Sequence, residues 1–200
     1  MNTHVKRLAL ACSLVLPLAA SEAGEDHYTF DLQARLSGEQ EVTPPAAPTI
    51  PSLGVITDAK ARVQIQVERD LSSFRFRLVV RNGNDVTQAH LHCGRPGQNG
   101  PVVVFLSALN AEGQDVNGLL AHGTRRNEHI EPGAAACEEL IGRPINNIAS
   151  LAAAAFDGLI YANVHTIQNP AGEVRGQLIP GDDHDYGRRH RNDSESDSSE

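Results

Sequence analysis

The sequence predicts an all-β fold, a Greek-key β-sandwich or barrel with one short helix and a disordered C-terminal tail. Three observations carry that prediction. Apolar residues alternate with polar ones over several short runs, only one stretch has helical character, and residues 181–200 contain no aliphatic side chain.

Residues 1–23 read as a bacterial-type export signal. Lys6 and Arg7 precede an apolar run over 8–20, and Ser21-Glu22-Ala23 offers small residues at the spacing that signal peptidase cuts. The run falls short of the roughly 20 apolar residues that span a bilayer, so no transmembrane segment is expected in the mature chain. Cys12 lies inside the run behind Ala9-Leu10-Ala11, a poor lipidation box, and cleavage after Ala23 discards it. The expected mature protein is therefore secreted or periplasmic, with a β domain over 24–180.

Tyr28, Phe30, Leu32, Ala34 and Leu36 form the first alternating set. A Pro-rich loop over 43–51 follows. Ala61, Val63, Ile65 and Val67, then Phe74, Phe76, Leu78 and Val80, form two more sets, and the turn residues Asp70-Leu71-Ser72-Ser73 between them predict a hairpin. Pro101-Val102-Val103-Val104-Phe105-Leu106 reads as a buried strand. The helix is expected over 145–156, where Ile148, Leu151, Ala152 and Ala155 share one face and Gly158 stands ready to end it. Segments 159–165 and 173–179 flank Gln168-Asn169-Pro170-Ala171-Gly172, which has turn composition, and predict a second hairpin. The acidic, Ser-rich tail over 181–200 cannot bury enough apolar surface to offset its ordering entropy.

The chain carries 17 basic and 25 acidic residues, for a formal charge of −8. Loss of Lys6, Arg7 and Glu22 with the signal makes it −9. That balance argues against nucleic acid and anionic membrane surfaces as partners. Two cysteines remain, Cys93 and Cys137. In an oxidising compartment such a pair is expected as a disulfide, worth roughly 3–4 kcal/mol in the chain-entropy model. The competing reading makes Cys93 a metal ligand beside His92.

His90 and His92 are two apart on a predicted strand, so their imidazoles share a face. His165 ends a later strand just before a turn. Three such imidazoles, gathered at one end of the barrel, would suit copper or zinc. The competing reading has them hydrogen-bonding loop backbones and pinning strand ends. Because each imidazole must be neutral to ligate, metal binding is expected to weaken below about pH 6. Glu173 and Arg175 flank Val174 on one strand face, where an exposed or cross-strand ion pair is the default. No paired carboxylates, nucleophile elbow or phosphate-binding loop is legible, since no helix follows Gly97-Gln98-Asn99-Gly100.

Four segments are shared in order with one family. They are Leu36-Ser37-Gly38-Glu39-Gln40-Glu41-Val42 with Pro44-Pro45; Ala89-His90-Leu91-His92 with Gly97-Gln98-Asn99-Gly100-Pro101-Val102-Val103; Tyr161-Ala162-Asn163-Val164-His165-Thr166; and Asn169-Pro170-Ala171-Gly172-Glu173-Val174-Arg175-Gly176-Gln177. Over about 28–180 the chain resembles the CHRD (chordin-type) domain, and in particular its single-domain, secreted microbial members. The resemblance implies an extracytoplasmic β domain without a settled activity, and a structural part for Asn163, Glu173 and Arg175 near His165. Chordin itself binds growth factors, but this chain has one domain copy and none of chordin's cysteine-rich modules. More distantly, the His-x-His strand and later Val-His are similar to the copper ligands of copper/zinc superoxide dismutase. That likeness makes His90, His92 and His165 the copper-ligand counterparts and His122 or His129 candidates for a bridging histidine. The leading reading is a non-catalytic secreted binding or structural module whose histidines hold copper, or less tightly zinc. The alternatives are a copper-dependent redox protein of dismutase type, and an adhesion or matrix protein with an unidentified extracellular partner.

Overall fold

A computed structural model describes residues 28–43 and 54–181 of the chain. The expected signal at 1–23, most of the 43–51 loop and all but Gly181 of the tail lie outside the described residues.

Among the described residues nine strands form the fold: β1 (Tyr28–Ser37), β2 (Lys60–Glu68), β3 (Ser73–Gly83), β4 (Val86–Cys93), β5 (Val102–Ser107), β6 (Val116–Arg126), β7 (Ile160–Thr166), β8 (Val174–Gln177) and β9 (Ile179–Pro180). Eight of them run in the order β5-β4-β7-β8-β1-β2-β3-β6, with β9 paired to β1 and every pairing among the described residues antiparallel. The sheet curls into a nearly closed barrel. At the seam, Arg125 of β6 donates from Nε to the Phe105 carbonyl at 2.7 Å and from Nη2 to the Leu106 carbonyl at 3.0 Å on β5. With β6 and β5 meeting there, β7-β4-β5-β6 is a Greek key.

Alternation sets the orientation of each strand. Leu32, Ala34 and Leu36 of β1, Val63, Ile65 and Val67 of β2, and Phe74, Phe76 and Leu78 of β3 point into one core. Their neighbours Arg62, Gln64, Arg75 and Arg77 are exposed on the outer face. The expected hairpins are present: β2 pairs with β3 across the Asp70 turn, and β7 pairs with β8. In the first turn Asp70 accepts from the Ser72 N–H at 2.9 Å, which is what its side chain contributes.

Helix content exceeds the single helix read from sequence. A five-residue α1 (Cys137–Ile141) precedes α2 (Ile148–Phe156). The second helix starts later than 145 because Asn147 caps it: its side chain accepts from the Ser150 N–H, and the Ser150 hydroxyl accepts from the Asn147 N–H. Its buried Ile148, Leu151, Ala152 and Ala155 face the core. Cys93 at the end of β4 is disulfide-bonded to Cys137 at the start of α1, with Cα atoms 6.0 Å apart. The bond fits an oxidising compartment. No helix among the described residues is long and apolar enough to cross a membrane.

Candidate metal centre

Strands β4 and β7 bury both faces, unlike β2 and β3. On β4, Ala89, Leu91 and Cys93 enter the core, so His90 and His92 point outward. This alternation, with the disulfide, removes Cys93 from the ligand set. Across the ladder His90 stands opposite Asn163, and His92 opposite Tyr161. Gln88 stands opposite His165, which places all three histidines on one outer face. They do not sit at an end of the barrel, as the strand-terminal position of His165 suggests. Loops cover them, and their exposures are only 3%, 7% and 5% for His90, His92 and His165.

One ligand atom from each histidine lies within 4.8 Å of the others. Hydrogen bonds fix the tautomers. His92 Nδ1 lies 2.9 Å from the Gly100 carbonyl, and His165 Nδ1 lies 3.1 Å from the Pro170 carbonyl. A carbonyl only accepts, so both Nδ1 atoms carry the proton and both Nε2 atoms are bare lone pairs. His90 Nδ1, 3.1 Å from His165 Nε2, is then the donor of that contact, and its own Nε2 is bare as well. The Nε2 atoms of His90 and His92 are buried without a hydrogen-bond partner among the described residues.

The site keeps its imidazoles neutral. Burial drives the His90 pKa down to about 3, with His165 and His92 adding repulsion. Burial likewise lowers His92 to about 4 against the opposing Gly100 hydrogen bond, and it lowers His165 against the Pro170 bond. Neutral imidazole is the form that ligates a metal.

Aromatic and charged neighbours complete the pocket. Phe105 meets the His90 ring edge to face with centroids 4.4 Å apart, and Tyr161 stacks on His92 at 4.9 Å with planes 7° apart. Strand β7 lies between β4 and β8, so Tyr161 is flanked by His92 on one side and Arg175 on the other. The Arg175 guanidinium carbon lies 3.5 Å from the Tyr161 ring centroid. Arg175 is buried and donates to Asn99 Oδ1 at 3.0 Å and to the carbonyls of Arg95 at 3.0 Å and Gln98 at 2.9 Å. It thereby clamps the 94–101 loop whose Gly100 carbonyl orients His92. The default of an exposed or cross-strand Glu173–Arg175 pair is not what the structure contains. Both side chains are buried, and Glu173 instead accepts from the Thr57 hydroxyl at 2.5 Å.

Glu41 and Asn163 line the far side. Glu41 accepts from the Val42 N–H at 3.1 Å and from Asn163 Nδ2 at 3.4 Å, and burial holds its carboxyl above the usual range against the pull of Arg175. Gly172 passes so close that a Cβ would sit 2.5 Å from Asn163 Nδ2 and 2.6 Å from Glu41 Oε2, and its φ is +135°. Sequence reasoning carried Glu41, Asn99 and Tyr161 only as members of shared segments. The Tyr161–His92 pairing follows from strand register, which the sequence does not display.

Neither candidate bridging histidine joins the cluster. His122 is exposed on β6 opposite Arg77, and His129 Nδ1 accepts from the Arg126 N–H at 3.0 Å.

A disulfide-tied Greek-key barrel with three buried, neutral histidines under loops on its outer face is the class that fold and site define. The CHRD domain family model matches residues 32–178, and the chain belongs to that family. No curated protein and no solved structure matches it.

Proposed function

We propose that this CHRD domain is an extracytoplasmic metal-holding module in which His90, His92 and His165 bind one copper ion, with zinc held less tightly. The bare, buried Nε2 lone pairs of His90 and His92 carry the reading. Pinning loops needs only the Nδ1 atoms of His92 and His165, which already bond Gly100 and Pro170, so that role leaves the Nε2 atoms unexplained. Backbone carbonyls on the distal nitrogens of ligating imidazoles are also the usual second support of a metal site. Copper follows from an all-imidazole donor set and the usual divalent affinity order. The dismutase-type alternative needs a bridging histidine, and neither candidate joins the cluster, which favours binding without turnover. The disulfide and the signal-like residues 1–23 support an oxidising location.

Titration calorimetry of the folded chain with copper(II) and zinc(II) tests the reading. One equivalent of copper is expected, bound more tightly than zinc. His92→Ala should weaken copper by at least about tenfold while His122→Ala leaves it unchanged, because only the former removes a donor. Absence of stoichiometric uptake of either ion would end the metal assignment.

A further inference from the structure

The outer face of β1, β2 and β3 carries a groove whose charged lining is entirely cationic. The groove, of about 560 Å³, is lined by Arg35, Lys60, Arg62 and Arg81, together with Ser37 and Gln64. All four cations are exposed, and among the described residues none is in an ion pair. Strand register sets like charge against like: Arg35 lies directly opposite Arg62, and Lys60 directly opposite Arg81. Like charges in directly opposed positions destabilise a sheet. Here two such pairs sit side by side in a chain whose net charge is −8. Arg62 meets only a neutral partner, donating from Nη2 to Gln33 Oε1 at 3.0 Å.

From this groove we propose that the domain binds an acidic polysaccharide through carboxylate or sulfate groups. Guanidinium forks match planar or tetrahedral oxyanions in two-point geometry. The cationic band continues along β3 to Arg77, which with Arg81 spans about 13 Å of strand, a length suited to an extended chain rather than a single ion. Nucleic acid fits poorly, because binders of single strands stack bases on exposed aromatic rings and this groove is lined by none. The disulfide agrees with a compartment where such glycans occur. The groove lies on β1–β3 and the histidines on β4 and β7, so the two sites are independent.

The test uses the full chain with dextran sulfate as the sulfate probe, polygalacturonate as the carboxylate probe and neutral dextran as the control, at about 0.15 M salt. Binding to at least one polyanion is expected, weakening as salt rises. Dextran sulfate alone would assign a sulfated ligand, and polygalacturonate would extend the assignment to uronates. Arg62→Gln combined with Arg81→Gln should weaken binding at least tenfold without lowering the melting temperature, since both side chains are exposed and each change relieves a like-charge pair. Arg143→Gln, outside the groove, should change it less than twofold. Three results would overturn the proposal: retention no better than on neutral dextran, an equal loss with Arg143→Gln, or binding that appears only when residues 182–200 are removed. The last would make the tail the occupant.

Discussion

Acid should destabilise the metal-free protein before its carboxylates are neutralised, through the buried histidines. In the native state His90 and His92 titrate near 3 and 4, against about 6.5 for an ordinary histidine. The unfolded chain therefore takes up protons first as pH falls. Stability is fully present above about 6.5, is lost on the way down, and levels off once the native values are passed. By pH 5 the cost is about 2 kcal/mol for each of these two histidines. His165, also lowered, adds in the same direction. Glu41 opposes the loss, because its raised carboxyl takes up a proton earlier in the native state than in the unfolded one. Urea unfolding in chelator at pH 7.5 and pH 5.0 measures the net effect, and His92→Gln isolates one contribution. The pH-dependent loss should shrink by about 2 kcal/mol in that variant. Equal stability of the parent protein at the two pH values would refute the reasoning. Because burial lowers all three imidazoles, copper affinity should fall off at a lower pH than the value of about 6 expected for ordinary histidines.

Three further outcomes follow from particular contacts. Replacing Cys93 and Cys137 together by Ala should cost about 4 kcal/mol in urea unfolding, given the 44-residue separation that the bond closes; an unreduced parent chain with two alkylatable thiols would contradict the bond itself. Arg175→Met should cost about 3–5 kcal/mol, because it strips the cation from buried Glu41 and the donors from the 94–101 loop. A loss under about 1 kcal/mol would show that the loop is anchored elsewhere. Gly172→Ala should cost about 1–3 kcal/mol by forcing Asn163 and Glu41 apart at a positive φ, and an unchanged melting temperature would show that the turn yields freely.

Much of the barrel was legible because alternation is a local signal. Val63, Ile65 and Val67 announce β2, and Phe74, Phe76 and Leu78 announce β3. Strand β6 was not legible, since Gly118, Ala121 and Gly123 leave a half-buried run without a clear period. The His90–His92 pairing could be read from two-residue spacing, but not which face received it. Alternation fails on β4 and β7 because loops bury the outer face as well, so Tyr161, Asn163 and His165 look no more exposed than the core residues between them. Arg175 was misread for the same reason. On a bare strand a charged side chain faces water, and only the fold of the 94–101 loop over β8 gives it carbonyls to bind.

That covering loop explains why segments far apart in the chain act as one unit. Asn99 Nδ2 donates to the Val42 carbonyl at 2.8 Å while its Oδ1 accepts from Arg175, so one side chain joins the segment after β1, the 94–101 loop and β8. The Tyr161 hydroxyl accepts from the Gly100 N–H at 3.2 Å, and the Gly100 carbonyl in turn orients His92. Gly100 has no room for a side chain, since a Cβ would sit 1.8 Å from the Cys93 carbonyl. The Pro170 carbonyl orients His165, and Gly172, two residues on, packs against Asn163 and Glu41. Three of the four shared segments therefore supply an imidazole or a carbonyl that orients one, and the first holds the covering loop through the Val42 carbonyl on Asn99. The core would be equally well packed without most of these polar residues, because they lie on the other side of the sheet. Their convergence on three neutral histidines is thus a property of the site rather than of the barrel. It also locates the vulnerable point: loosening Arg175 or Asn99 should disturb His92 through Gly100 before it disturbs a core residue.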